Sequence, residues 1–290
     1  MTSFSDKKQL RFVITLGTDT FDEAGNNQIV LQGFRASVDV DKAGGVQMST
    51  LRAKIYGVSA ADMASITTLQ WRPRTLIPNT VEVFAIDGDA ETLVFAGNII
   101  NAWGDFQNMP DVFLHIQAQA AFFAQIKAIP PRSFKGGVDV ASVMRQIARD
   151  SGLAFENNGV QVQLVDVYLA GSGTEQIKEL AKAAGIDYYV DDKTLAIAPP
   201  NVPRGGMVAL VSRSTGLVGY PAFDSIGVTF QTLFNPAIQF GGRVQLETDI
   251  LQAAGEWVVV SLAYQLESEK AGGAWFATVR GSVNELAIVR

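Results

Sequence analysis

The 290-residue sequence contains no cysteine and a single histidine, His115. The first absence excludes a disulfide scaffold, a thiolate nucleophile and every cysteine-based metal site. The second removes most zinc sites and most imidazole acid–base chemistry. Charge is scarce as well: Asp, Glu, Lys and Arg make up 18% of the chain, against about 25% in an average soluble protein. With 48% hydrophobic residues and 27 glycines, that balance speaks against long disorder and for extended sheets or large buried interfaces. The formal net charge of −6 is spread along the chain without a basic patch, so no specific nucleic-acid binding is expected. Long apolar runs are missing too. The longest, Trp257 to Tyr264, is far short of the ~20 residues of a membrane helix. Residues 1–8 hold no apolar signal core, so neither a membrane anchor nor a cleaved signal is expected.

What is present is mostly strand pattern. Leu10, Phe12, Ile14 and Leu16 alternate with Arg11, Val13, Thr15 and Gly17, which predicts an extended segment with one apolar face. After the turn-rich residues 22–27, a second strand is expected near Ile29–Val40. Alternation returns at Leu51–Tyr56, at Val81–Ala85 before an Asp87-Gly-Asp89 turn, at Phe95–Ile99 and at Val112–Ala120. One short helix interrupts the series, with Ser59 as its cap, Asp62 at the capping-box offset and an end near Leu69. Six or seven strands with one helix predict a closed or nearly closed antiparallel β-barrel over residues 1–130.

The middle, residues 131–203, changes period. Val140, Val143, Met144, Ile147 and Ala148 fall on one helical face and Gly152 stands where a C-terminal cap belongs. The design recurs 33 residues later, with Ile177, Leu180, Ala181 and Ala184 ending at Gly185. Ile147–Phe155 aligns directly with Leu180–Tyr188. Two copies are too few for a solenoid and predict a compact α/β insert, closed by strands at 188–190 and 195–197. Pro199, Pro200, Pro203, Gly205 and Gly206 then punctuate the chain, which places a boundary there. Residues 204–290 return to strands at Met207–Val211, Gly227–Phe234, Arg243–Thr248, Trp257–Leu266 and Trp275–Ser282. They predict a second, smaller β-barrel, with Val283–Arg290 as a tail. The expected fold class is mainly β with an α/β insert: two tube-like antiparallel barrels flanking a small helix–strand domain.

Four features invite chemistry, and each has a plainer reading. Asp87-Gly-Asp-Ala-Glu91 resembles part of a calcium loop but lacks its spacing and its closing Glu, so a hairpin turn is expected. Gly171-Ser-Gly-Thr-Glu175 leads into a helix where a phosphate could rest, but without a third glycine or a following lysine it reads as an N-cap by Ser172 or Thr174. His115, between Leu114 and Ile116, sits on the polar face of its strand. With no second His and no Gly-x-Ser-x-Gly for it to activate, it reads as a surface or interface residue. The 29 acidic residues form no distinctive pair for glycoside cleavage. No catalytic, cofactor-binding or metal-binding residue is assigned.

The third segment carries a resemblance. Gly219-Tyr-Pro-Ala-Phe-Asp-Ser-Ile-Gly-Val-Thr-Phe-Gln-Thr-Leu-Phe-Asn-Pro-Ala-Ile-Gln-Phe-Gly241, followed by Val244-Gln-Leu246, resembles the C-terminal domain of bacteriophage tail baseplate hub proteins. The run Gly255–Ser268 with Gly272-Gly-Ala-Trp275 is similar to the closing hairpin of that family. The helix–Gly–Ile–x–Tyr unit at 177–190, ending in Leu195-Ala-Ile-Ala-Pro199, is similar to the insert that hubs carry between their barrels. The resemblance covers about residues 130–285 by motif, and the N-terminal part by its β-rich character.

It implies a structural virion protein of the tail baseplate, assembled in the host bacterial cytoplasm. It implies a homotrimer whose two barrels per chain make a pseudo-sixfold ring. Such a ring would join the hexameric tail tube, or a distal tail protein, to the trimeric central spike and contact other baseplate proteins. No enzymatic activity and no cofactor are implied. Rival readings are a tail-associated cell-wall hydrolase, a cell-wall-binding tail-tip module in which Tyr188 and Tyr189 would be the exposed stacking residues, and the hub of a tailocin or phage-derived secretion particle. In the ring, Gln117, Gln119, Glu247 and Asp249 are candidates to line the lumen, and His115 to meet a neighbouring subunit.

Overall fold

The computed structural model describes residues 8–43, 48–67, 78–107, 109–200, 202–225 and 227–282. In chain order the first elements are β1 (Lys8–Thr15), β2 (Gln28–Gln32), β3 (Ala36–Ala43), β4 (Thr50–Tyr56), α1 (Ala60–Ile66), β5 (Thr80–Asp87), β6 (Ala90–Asp105) and β7 (Phe113–Gln119). The middle holds α2 (Phe122–Ile126), β8 (Arg132–Ser133), β9 (Gly137–Asp139), α3 (Val140–Asp150), β10 (Ala154–Asn157), β11 (Gln163–Val165), β12 (Tyr168–Leu169), α4 (Gly173–Ala184), β13 (Asp187–Asp191) and β14 (Thr194–Ala198). Then follow β15 (Ala209–Val211), β16 (Leu217–Phe223), β17 (Gly227–Leu233), β18 (Arg243–Leu246), β19 (Gly255–Ser268) and β20 (Trp275–Ser282). The protein is mainly β with a small helical segment, as its composition and alternation predict.

These elements fold into two compact units. The first takes the chain up to Asp41, Ser49–Ala120 and Ala263–Ala277; the second takes Lys42–Met48, Ala121–Leu262 and the chain from Thr278. Strands in the first unit lie in the order β19-β3-β4-β7-β6-β5-β1-β2. Alternation is what the packing demands: Leu10, Phe12 and Ile14, Val81 and Val83, Leu51 and Ile55, and Leu114 and Ile116 all point inward and are buried. The sheet is strongly curled. Gln9 Nε2 on β1 donates to Glu269 Oε1 at 3.1 Å, and Lys8 Nζ lies 5.7 Å from the Trp275 ring centroid, so the two ends of the ladder approach each other. Among the described strands β2 and β19 are not paired, so the ladder stays open between them.

Two local expectations for the first unit are corrected. The strand foreseen across Ile29–Val40 is two strands, because Gly33 takes φ +77 and turns the chain between β2 and β3. The helix capped by Ser59, whose side chain accepts from the Asp62 N–H, ends at Ile66 with Thr67 as its C-cap; Leu69 lies outside the described residues. The Asp87–Asp89 hairpin forms as expected, Asp87 facing Ala90 across a tight turn with Gly88 at φ +62.

In the second unit α3 and α4 pack on the three-stranded sheet β10-β14-β13. Both helix–glycine–strand copies end on the same strand: β10 pairs with β14 in parallel and β13 pairs with it antiparallel. Asp139 caps α3 and Ser172 caps α4, the latter with a full capping box through Glu175, together worth about 1–2 kcal/mol. Val143, Met144, Ile147, Ile177 and Leu180 bury their side chains between the helices and the sheet. The remaining strands follow the order β16-β17-β20-β19, with β18 on β19 and β15 parallel to β18.

The strand β16 was not foreseen, because Gly219-Tyr-Pro221 reads as a separator. It is a strand with a bulge: the register to β17 shifts between Val218 and Ala222, around Gly219 at φ +69. A proline is tolerated there because a bulge on an edge strand leaves no ladder hydrogen bond for it to break. The expected tail, Val283–Arg290, lies outside the described residues.

Candidate functional surfaces

The outer face of the first unit is set by strand register. Asp41, Thr50, Gln119, Asn98, Thr80, Thr15 and Gln28 stand side by side across seven neighbouring strands. A second row runs Asp39, Arg52, Gln117, Asn101, and a third Ser37, Lys54, His115, Trp103. The lumen candidates Gln117 and Gln119 therefore share one polar face with His115. The other two, Glu247 and Asp249, follow β18 in the second unit, where Asp249 makes an exposed 3.2 Å ion pair with Arg213.

His115 is more enclosed than a plain surface histidine. Its ring stacks on Trp103 at 4.5 Å and meets the edge of Phe113 at 4.7 Å, and Nε2 is 4.0 Å from Asp105 Oδ2. Burial first, and the Lys54 ammonium second, push its pKa below the ordinary value, with Asp105 opposing them. The imidazole is therefore held neutral near pH 7, as an aromatic packing partner.

In the second unit the charged groups turn inward. Arg204 donates from Nε and Nη2 to Glu156, at 2.8 to 3.1 Å, and from Nη1 to Asp191 Oδ2 at 2.9 Å. Lys42, only 5% exposed, donates to Asp191 Oδ1 at 2.7 Å and Asp192 Oδ2 at 2.8 Å. Arg204 holds the Glu156 carboxyl below the usual carboxylate range. Burial alone would raise Asp191, but Lys42 and Arg204 outweigh it and keep that group ionised. The cluster thus ties the end of β3, the β13–β14 turn, β10 and the segment after the prolines to one another. Nearby, Pro203, Arg204, Gly205, Gly206, Met207, Val208, Gln239, Gly242 and Arg243 line a cleft of about 230 Å³, below the ~300 Å³ at which small-molecule sites begin.

Tyr189 does not offer a stacking surface. It is 2% exposed and packs edge-on against Phe240 at 5.7 Å, and burial raises its hydroxyl pKa; Tyr188 leans on the core of the helical segment. These rings alternate across β13 and both faces are covered, so neither is the exposed aromatic that the wall-binding reading requires. Gly171–Glu175 is the capped start of α4, with the Ser172 N–H donating to Glu175 Oε2 at 2.7 Å.

Two strand edges were missed by residue-by-residue reading. β16 has β17 as its only neighbour and β2 has β1 as its only neighbour among the described strands. Tyr220 and Phe223 on the first are 68% and 52% exposed, and Val30 on the second is 52% exposed. A signal for the first was available: from Ser214 to Gly242 the only charged residue is Asp224. Charge depletion with exposed aromatics is the composition of an interface core. Among the described residues no helix is long and apolar enough to cross a membrane.

The family model described as baseplate hub gp41 matches residues 21–279, and the chain belongs to that family. Similar folds are found in the 43 kDa tail protein of prophage MuSo2 from Shewanella oneidensis (TM-score 0.61, 11% identity, 98% of each chain covered) and in a tail protein of Neisseria meningitidis MC58 (0.60, 12%, 96% of this chain and 97% of that one). The Escherichia coli protein c3393, a component of the type VI secretion system, is similar at a TM-score of 0.55 and 7% identity, over 88% of this chain and 77% of its own. No curated protein matches the sequence.

Proposed function

We propose that the chain is a structural hub without chemistry of its own. It assembles as a homotrimer whose two β-barrel domains per chain supply six similar positions around a ring. That ring meets a sixfold tail tube or distal tail protein on one side and a threefold central spike on the other, at the baseplate of the virion. The particle is put together in the host cytoplasm, with further baseplate proteins around the hub. Residues 1–130 and 204–290 act as the two ring positions and 131–203 as the insert between them.

The observation that carries this reading is the family match over residues 21–279 on a mainly β chain. Two β units in each of three chains is the count that a match between sixfold and threefold symmetry requires. The low charge content agrees, since obligate interfaces, commonly above ~2,000 Å², are depleted in charge. Gln117, Gln119, Glu247 and Asp249 are assigned to the lumen on their polarity.

Native mass measurement and light scattering at micromolar concentration, alone and with the spike protein, test the proposal. Three chain masses are expected in at least one of the two conditions. A monomer in both would overturn it. The likeness to a type VI secretion component favours one variant, a hub of a phage-derived secretion particle, and a virion preparation that contains the chain in its tail proteome decides against that variant.

A further inference from the structure

We infer that the neutral edge of β16 takes a strand of a second copy of this chain, and that the strand it takes is β2. The inference rests on the self-assembly proposed above and names the surfaces that carry it.

A sheet edge with unpaired backbone groups and exposed apolar side chains is a hazard that monomeric proteins blunt with lysines, prolines, β-bulges or a covering element. Along Leu217–Phe223 β16 carries a bulge and one proline but no lysine and, among the described residues, no covering element. Its one proline, Pro221, is buried, while Tyr220 and Phe223 stand out into solvent. What a covering strand would bury is this pair of exposed, uncharged rings.

The occupant follows from the other end of the strand order. β2, Gln28-Ile-Val-Leu-Gln32, is likewise an end strand, and from Ala24 to Phe34 the chain carries no charge. Neutral edge against neutral edge buries no ion without a partner. The approaches complement each other: the exposed Arg213 precedes β16, and Asp19 and Glu23 precede β2. Among the described residues Arg213 is engaged in a surface pair with Asp249, a bond worth little in water. Because the two edges are different surfaces of one chain, the contact is head-to-tail, and a head-to-tail contact that closes makes a ring.

The absence of cysteine makes the test clean. Val30→Cys and Tyr220→Cys are introduced together and singly, and the assembled protein is treated with a short bis-maleimide and run under denaturing conditions. Species of two and three chain masses are expected from the double variant only. In parallel, Val30→Lys is expected to abolish the three-chain species in native mass measurement while leaving the unfolding temperature of the chain unchanged.

If three chains assemble but the double variant gives no inter-chain link, the edge pairing is wrong while the trimeric hub stands. A link from Tyr220→Cys alone also overturns it, by showing that β16 pairs with its own copy. A monomer under all conditions removes both readings.

Discussion

Within the second unit, two regions treat charge in opposite ways. Around Arg204 five ionisable side chains are gathered, four of them largely out of bulk water, and satisfied by one another. Along the β16–β17 hairpin charge is almost absent, and aromatic side chains stand in solvent. Isolated buried ions are costly unless every one is paired. The first region is thus finished within the chain. An exposed neutral edge costs little in the monomer and gains only when covered, so the second is completed by association.

The sharpest way to break that contrast is Arg204→Met. Glu156 loses its bidentate partner and Asp191 loses one of two, leaving carboxylates in a partly buried site. The expected loss is about 3 kcal/mol, at the lower end for a broken buried pair because Glu156 stays about one-third open to water. Chemical unfolding of the purified variant measures it. The wild-type stability held by Glu156 and Asp191, whose folded pKa values are depressed, is fully present above the unfolded carboxylate range of roughly 4. It is lost as pH falls through the folded values. That acid limb is expected to flatten in the variant, and an unchanged acid limb would show that the cluster is not what holds the carboxylates ionised.

A smaller effect is expected at the capped start of α4. Ser172→Ala removes the acceptor for the Glu175 N–H and half of the capping box, which costs about 1 kcal/mol. Thermal unfolding followed by circular dichroism reads it. Because this loss lies within the chain, assembly is expected to persist.

His115 provides a third measure, chemically between the two regions: a titratable group on a polar face, stacked rather than ion-paired. Its folded pKa lies below the ordinary value of 6.5, so the unfolded chain binds the proton more readily. Stability is expected to fall as pH drops from 6.5 toward the lower folded value, and His115→Gln is expected to remove that slope. Trp103, 4.5 Å from the ring, allows tryptophan fluorescence to follow the titration. A slope that persists in the variant would assign it to other groups.

How much of this was legible in the sequence depended on whether the signal was local. The alternation in β1, β4, β5 and β7 was readable because one face of each is buried and the other is not, and period two is the direct imprint of that asymmetry. The two helix–glycine–strand copies were readable because α3 and α4 each bury one stripe and each stop at a glycine in the left-handed region, Gly152 and Gly185. The Arg204 cluster was not readable. Residues 42, 156, 191 and 204 are scattered through the sequence, and nothing local marks Lys42 as buried. Tyr189 misled for the same reason, since only the packing of Phe240 shows that its face is covered. β16 was hidden by its own bulge, where Gly219 and Pro221 look like punctuation although the strand resumes at Ala222.

The smallest expected change in the folded chain is the most telling for function. Tyr220→Ser removes an exposed ring from the neutral edge, and an exposed side chain outside any hydrogen-bond network shifts stability by no more than ~0.5 kcal/mol. If the edge served only the chain that carries it, nothing else would change. As an interface aromatic, the same ring is among the residue types that contribute most to association, commonly 2 kcal/mol or more when fully covered, or roughly a thirtyfold weaker contact. The expected result is therefore an unfolding curve that overlays the wild type together with a three-chain species that dissociates at higher concentration. Arg204→Met should show the reverse: lowered stability in the single chain, with the contact between copies intact at temperatures where it remains folded. A Tyr220→Ser variant that assembles as tightly as the wild type would return β16 to the status of an ordinary edge and leave the charge-free stretch from Ser214 to Gly242 without this explanation.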